Sequence, residues 1–327
     1  DIKPGDLFVA VKGTRADGHA FISAAVKSGA IAVVCETLPD TLAAGVTFVK
    51  VADSSVALAI MAANYYDNPS EKLHLIGVTG TNGKTTSVTL LYRLFMNLGM
   101  PCGLLSTVEN RINQQVIPST HTTPDPVRLN RLLAMMVEDG CSYCFMEVSS
   151  HAVVQHRITG LVFAGGLFTN ITHDHLDYHK TFDEYIKAKK GFFDMLPASS
   201  FAIYNSDDRN GLVMVQNCKG KAISFGLRGM ADFKCKVIEN SFGGLLLALD
   251  GHELLCRLIG SFNAYNVTGV YAVAVMLGQD KLSVLTALSN LESVEGRFQY
   301  VVSAKRVTGI VDYAHTPDAL MNVLNTI

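Results

Sequence analysis

Apolar residues follow two alternating rhythms along this chain. Short unbroken apolar runs are bounded by Gly, Pro, Asn or Asp. Between them lie longer stretches whose apolar positions fall three and four apart. The first rhythm belongs to strands buried on both faces, the second to helices with one buried face. Leu75-Ile76-Gly77-Val78-Thr79 is a run of the first kind. After a glycine-rich loop, a helix is predicted over 84–98, with Val88, Leu91, Leu94, Phe95 and Leu98 on one face. Further strands are predicted at 143–148, 163–169 and 201–205, with helices at 127–138 and 182–195 between them. Strands alternating with helices predict an α/β fold with a doubly wound, mostly parallel sheet.

The flanks read differently. Residues 1–69 predict a small α/β domain, with strands at 7–11 and 30–35 and helices at 20–28 and 54–66. Gly29 stands where a helix C-cap glycine belongs, and Asp67-Asn68-Pro69-Ser70 reads as a linker. The central domain spans 70–296. Its segment 221–258 reads as hairpins with turn signals at Asn240 and Gly243-Gly244, followed by helices at 263–277 and 282–291. Strands at 300–303 and 308–312 open a third domain over 297–327. The chain starts at Asp1 without Met and stops at Ile327 soon after that opening, so it reads as a piece of a longer protein.

Composition narrows the functional classes. The 327 residues exceed one ordinary core, and with 49% hydrophobic and 17% charged residues the chain is not disordered. A net charge of −2 offers no electrostatic footprint for nucleic acid or an anionic membrane. Neither a signal peptide nor a long apolar span is visible. The seven cysteines are scattered and odd in number, which predicts reduced cytosolic thiols. The lone CxxC at Cys141 and Cys144 is read as two core residues of a strand.

Five motifs carry chemistry. The loop Gly80-Thr81-Asn82-Gly83-Lys84-Thr85-Thr86 follows a strand and opens a helix, the context a phosphate-binding loop needs. Its backbone N–H groups and the helix N-terminus suit an anion, Lys84 can reach phosphates, and the Thr85 hydroxyl can ligate Mg²⁺. Val78 stands where the usual pattern has its first glycine. In Met146-Glu147-Val148-Ser149-Ser150-His151, Glu147 ends a buried strand at the edge where ligands of such folds bind. It reads as a Mg²⁺ ligand or a solvated strand-end Glu, and Ser149 as a contact or a helix N-cap. The run Asn170-Ile171-Thr172-His173-Asp174-His175-Leu176-Asp177-Tyr178-His179 invites a zinc reading, but its members alternate off a strand end. It is taken as a polar loop in which one His serves a phosphate-bound metal. Lys187-Ala188-Lys189-Lys190 is a solvated face or presents a lysine to phosphates. Asn263 and Asn266 share a helix face and suit a base edge, with capping by Asn263 as the plainer reading.

Together these motifs resemble the Mur ligases, ATP-dependent amino-acid-adding enzymes of peptidoglycan synthesis, and most closely the MurE type. The resemblance runs the whole chain through TGTNGKTT at 79–86, HTTPD at 121–125, MEVSSHAVVQHR at 146–157, FTNITHDHLDYH at 168–179, GSFNAYN at 260–266, GRF at 296–298 and DYAHTPDAL at 312–320. It implies a central P-loop ATPase domain and the start of a C-terminal Rossmann-like domain that selects the amino acid. It implies ATP on Gly80 to Thr86, with Asn266 at the adenine and Arg297 and Asp312 near phosphates and ribose. Mg²⁺ would be held by Thr85, Glu147, His175 and a carbamylated Lys189. A UDP-MurNAc-dipeptide would be held by Thr122, Thr123, Ser149, Gln155 and Arg157, and its uridine end by Thr14, Arg15 and Ala16. The implied reaction phosphorylates the substrate carboxylate to an acyl phosphate, which the amine of diaminopimelate or lysine attacks. A cytoplasmic monomer is expected, inactive as this piece alone. The competing readings are a folylpolyglutamate synthetase-like ligase and a phosphate-loop module without catalysis.

Overall fold

The computed structural model of the protein describes residues 2–13, 16–119, 121–174, 176–303 and 307–327. The N-terminal unit is a three-stranded parallel sheet of β1 (Leu7–Val9), β2 (Ala32–Cys35) and β3 (Thr47–Lys50), with helices α1 (Ile22–Lys27) and α2 (Ser54–Tyr65). Its core is small, with Ala10, Ile22, Val33 and Cys35 at its centre. Gly29, with φ +102°, follows α1 in the left-handed conformation expected of a C-cap glycine. The linker bends at Asp67 and Asn68, both left-handed.

The central unit begins with β4 (His74–Thr79) and α3 (Lys84–Asn97). Strands β5 (Cys102–Leu105), β6 (Glu109–Ile112) and β7 (Gln115–Pro118) follow, then α4 (Pro126–Glu138) and β8 (Tyr143–Glu147). Next come α5 (Ser150–Val154), β9 (Gly165–Phe168), α6 (Leu176–His179), α7 (Phe182–Asp194), β10 (Phe201–Asn205) and α8 (Gly211–Val215). The unit ends with β11 (Lys221–Gly226), β12 (Phe233–Ser241), β13 (Gly244–Leu249), β14 (His252–Cys256), α9 (Ser261–Met276) and α10 (Lys281–Ser289). These strands form one eleven-stranded sheet in the order β14-β13-β12-β11-β10-β9-β4-β8-β5-β6-β7. The seven from β12 to β5 pair in parallel, and antiparallel hairpins extend both edges.

Helices cover both faces, as the alternating pattern predicts. Val88, Leu91, Leu94 and Phe95 of α3 join Val267 and Val270 of α9 in one core. Leu129 and Leu133 of α4 join Tyr185 and Phe192 of α7 in the other. Each fully buried Leu or Phe contributes about 1.5–3 kcal/mol relative to exposure. In the central strands Val78 pairs with Glu147, and Thr79 and Tyr204 both pair with Phe168. The carboxyl ends of β4, β8, β9 and β10 therefore share one edge. The chain leaves β4 toward β5 on one side and reaches β9 on the other, a switch point where such sheets bind ligands.

The differences from expectation have local causes. β5, β6 and β7 have four residues each, and although β5 is buried throughout, β6 alternates Glu109 and Arg111 with buried Asn110 and Ile112 and so forms no apolar run. Asn240 is not a turn residue. It pairs with Leu245 inside the hairpin, whose turn is Phe242-Gly243, and its Oδ1 accepts the Gly260 N–H at 3.1 Å. The segment after 297 contributes β15 (Gln299–Val302), β16 (Thr308–Val311) and α11 (Pro317–Leu324), with the two expected strands present and paired antiparallel. Cys141 and Cys144 are buried, free, and pushed up in pKa by burial, which makes them core residues. Among the described residues no helix is long and apolar enough to cross a membrane.

Asp125 begins α4 with one carboxylate oxygen accepting the N–H groups of Val127 and Arg128. Asp125→Ala is expected to cost about 1 kcal/mol of stability, read as a lower urea midpoint with an unchanged slope.

Candidate functional site

The carboxyl edge of the sheet opens into a cavity of about 780 Å³. The loop after β4 forms its floor in two halves. Gly80 is packed behind the cavity: a Cβ there would lie 2.0 Å from Thr169 Oγ1 and 2.9 Å from the Asn170 carbonyl. Thr81 N–H donates to that carbonyl at 2.8 Å, and Asn82 N–H to Asn170 Oδ1 at 3.0 Å. The first half of the loop thus spends its donors on the end of β9. The second half starts at Gly83, where φ is +86° and no side chain caps α3. First-turn amides of a helix have no intrahelical acceptor. Gly83, Lys84, Thr85 and Thr86 all line the cavity, an arrangement of amides and helix N-terminus that suits an anion seat. Thr81 and Asn82 also line the cavity, although their backbone N–H groups are engaged by Asn170.

Gly83 is required twice over. Its φ is unfavourable for other residues, and an added Cβ would meet Asn266 Oδ1 at 2.5 Å. Gly83→Ala is expected to weaken ADP binding more than about tenfold by isothermal calorimetry, with a lower melting temperature.

Two lysines converge on one carbonyl. Lys84 Nζ donates to Gly80 O and Thr81 O, both at 2.8 Å, and Lys189 Nζ donates to the same Gly80 O at 2.8 Å. Lys189 is 1% exposed, with its Nζ 4.5 Å from the Tyr185 ring centre. Burial lowers both lysine pKa values, and Lys84 lowers that of Lys189 further, well below the ordinary range. The basic run therefore divides. Lys187 is exposed, Lys189 points inward, and Lys190 pairs with Asp194 at 2.5 Å. Asp174, on the cavity wall, is the carboxylate whose charge counters both inner lysines.

Glu147, 1% exposed at the end of β8, accepts the Thr85 hydroxyl at 2.9 Å and the Thr107 N–H at 2.7 Å on one oxygen. Its second oxygen accepts the Thr107 hydroxyl at 3.2 Å. It is a held carboxylate, not a solvated strand end. Arg297 donates to the Thr85 hydroxyl at 3.0 Å and lies 4.8 Å from the Tyr313 ring centre. Asp312 faces the same cavity, but its oxygens accept the N–H groups of Phe298 and Ala314, both at 2.7 Å.

Beyond Glu147 the wall is made by Thr122, Thr123, Ser149 and Arg157. The Thr123 hydroxyl donates to the Glu147 carbonyl at 2.9 Å and accepts the Ser149 N–H at 3.2 Å. Ser149 lines the cavity and also caps α5 by accepting the Ala152 N–H at 3.1 Å. Gln155 does not line the cavity. Its Oε1 accepts from Nε and Nη2 of Arg157 at 3.0 and 2.6 Å, so it steadies the arginine. Arg157 Nη1 donates to the Thr123 carbonyl at 2.7 Å.

On the opposite wall Asn266 Nδ2 donates to Asn263 Oδ1 at 2.9 Å, and Asn263 Nδ2 to the Ile259 carbonyl at 2.8 Å. Asn263 does not cap α9, whose N-cap position is Gly260. Asn266 lines the cavity against Gly83. Near it Asp207 accepts N–H groups from Leu227, Arg228 and Gly229 and the Tyr265 hydroxyl. Burial works to raise the Asp207 pKa, but these donors hold it below the usual range. Asp207, Arg228 and Tyr265 are cavity residues that motif reading missed, because they meet only when β10, β11 and α9 pack together.

In the histidine-rich loop, His173 packs on Phe182 with ring centres 4.5 Å apart, and buried His179 bonds the Ser150 hydroxyl at 2.8 Å. His175, Thr14 and Arg15 lie outside the described residues. Ala16 is in the N-terminal unit, where its carbonyl accepts the Gly13 N–H at 3.0 Å, and it does not line the cavity. Among the described residues no cluster of three His, Cys, Asp or Glu could hold a metal. The buried pair of Glu147 and the Thr85 hydroxyl does supply adjacent hard oxygen donors of the kind that suits Mg²⁺ completed by phosphate oxygens.

A loop-to-helix anion seat at the switch point of a parallel sheet, with two inner lysines and a held carboxylate, defines a nucleotide-phosphate-binding α/β protein. The Mur ligase middle domain family matches residues 78–274, and the Mur ligase family catalytic domain matches residues 1–66. The chain belongs to the Mur ligase family. It is 60% identical over its full length to a UDP-N-acetylmuramoyl-L-alanyl-D-glutamate–2,6-diaminopimelate ligase of Cytophaga hutchinsonii, covering 67% of that protein. It is 56% identical to the ligase of the same name from Bacteroides fragilis, again covering 67%. A solved structure of a ligase of that name superposes with a TM-score of 0.86 at 28% identity, over 99% of this chain and 68% of the other.

Proposed function

We propose that the whole protein to which this chain belongs is an ATP-dependent, ADP-forming ligase that joins meso-diaminopimelate to UDP-MurNAc-L-Ala-D-Glu. The observation that carries this reading is one cavity with a phosphate seat at Gly83 to Thr86 on one side and the Arg157 guanidinium on the other. Arg157 suits an anionic acceptor, and Lys84 suits the phosphate that the acceptor carboxylate attacks. The relatives' names supply the substrates and favour diaminopimelate over lysine, and this ligase over the folate-type reading. The unit at 1–69 is assigned to the uridine nucleotide, with Thr14, Arg15 and Ala16, and residues 70–296 to ATP. Residues 297–327 are assigned to the start of the amino-acid-selecting domain. ATP and a UDP-linked precursor place the protein in the cytoplasm.

In this reading the first-turn amides and Lys84 hold the triphosphate, and Asn266, Arg297 and Asp312 hold the rest of the nucleotide. Thr85, Glu147, His175 and a carbamylated Lys189 would hold Mg²⁺, which would neutralise charge on the transferred phosphoryl group. Thr122, Thr123, Ser149 and Arg157, the last steadied by Gln155, orient the acceptor carboxylate. That carboxylate attacks the γ-phosphate and releases ADP. The amine of the added residue attacks the resulting acyl phosphate, forming the amide and releasing phosphate. The test is ADP release by the full-length protein with UDP-MurNAc-L-Ala-D-Glu, comparing diaminopimelate with L-lysine. Turnover with diaminopimelate and at least about a hundredfold less with lysine is expected. Equal turnover, or none with either, contradicts the assignment.

A further inference from the structure

We infer that Asn170 is a positioning residue that presets the phosphate loop before any nucleotide arrives. The inference rests on reading that loop as the nucleotide site. Asn170 binds the loop through backbone and side chain together. Its carbonyl accepts the Thr81 N–H at 2.8 Å, its Oδ1 accepts the Asn82 N–H at 3.0 Å, and its Nδ2 donates to the Asn82 carbonyl at 3.1 Å. The side-chain amide thus reads both backbone groups of Asn82, as a neighbouring strand would.

Asn170 is itself fixed from its neighbours. Thr169 N–H donates to the Thr79 carbonyl at 3.0 Å, and the Thr169 carbonyl accepts Asn205 Nδ2 at 2.9 Å. Ile171 N–H donates to the Asp208 carboxylate at 2.7 Å, and Thr172 N–H to the Thr81 hydroxyl at 3.0 Å. Gly80 permits the close approach, since a Cβ there would stand 2.9 Å from the Asn170 carbonyl. The consequence is a division of labour. Asn170 immobilises the residues before Gly83, so the amides after it meet phosphate without an ordering cost.

The test compares ADP and adenosine binding to the full-length protein by calorimetry, for the unaltered protein, Asn170→Ala and Asn170→Asp. Asn170→Ala is expected to weaken ADP about tenfold or more and to change adenosine less than about twofold, because only ADP uses the loop. Asn170→Asp keeps the shape and one acceptor, but it loses the donor and brings a negative charge to the phosphate seat. It is expected to bind ADP more weakly than the Ala variant, the reverse of what a packing role predicts. Should Asn170→Ala not fold, the isosteric Asp variant decides alone. ADP affinity within twofold of the unaltered protein in the folded variants, or equal losses for ADP and adenosine, overturns the inference. Failure of the unaltered full-length protein to bind ADP overturns the nucleotide reading instead, and this inference with it.

Discussion

Lys84→Ala is expected to lower ADP formation by the full-length protein about a thousandfold. Lys84 Nζ now rests on the Gly80 and Thr81 carbonyls, at the root of the anion seat. Burial already disfavours its charge, so the ammonium gains more than a surface lysine would from an incoming phosphate. The charge it neutralises grows as the phosphoryl group transfers. The loss should therefore fall mainly on kcat, with a smaller rise in the KM for ATP. Steady-state kinetics with varied ATP checks this. An Ala variant within tenfold of the unaltered kcat would remove Lys84 from the chemistry.

Lys189→Ala is expected to cost a similar factor for a different reason. Its amine is fully buried, beside Lys84 and over the Tyr185 ring. Burial first, and Lys84 second, lower its pKa from the ordinary 10.5, so it sheds its proton nearer neutrality. A neutral amine can add CO₂, forming a C–N bond and releasing a proton to solvent, and the site gains an anion in place of a second ammonium. On this account activity falls as pH drops through the depressed lysine pKa, because protonation blocks carbamate formation. Carbon-13 NMR of protein equilibrated with labelled bicarbonate should show one slowly exchanging carbamate signal, absent from Lys189→Ala. Short carboxylates such as acetate should restore part of that variant's activity. An Ala variant as active as the parent would sink the carbamate role.

Most of the scaffold was legible because its signals are local. β4, α3, β8, α7 and β10 each carry an unbroken apolar run or a one-faced stripe, and their bounds lie within a residue or two of the expected ones. The hairpin edge of β5 to β7 was not, since these strands are short and Asn110 and Arg111 interrupt the pattern. The site divides the same way. Residues on a strand end or a helix start, such as Glu147 and Lys84, are announced by their neighbours in sequence. Residues that act across the cavity are not. Thr107, which supplies two donors to Glu147, follows a strand too short to notice. Tyr185 lies four positions before Lys189, so helical spacing could have flagged its ring beneath the amine. Gln155 is assigned to the substrate only by the family resemblance. Its bond to the Arg157 guanidinium, across the left-handed His156, is not announced by the sequence.

The central claim is that the loop after β4 hands the γ-phosphate to a substrate carboxylate. Its most direct test is oxygen transfer by the full-length protein, given UDP-MurNAc-L-Ala-D-Glu labelled with oxygen-18 in both free carboxylates of its D-Glu residue. The account predicts one labelled oxygen in each released phosphate and one left in the new amide. Unlabelled phosphate accompanying amide formation would contradict it.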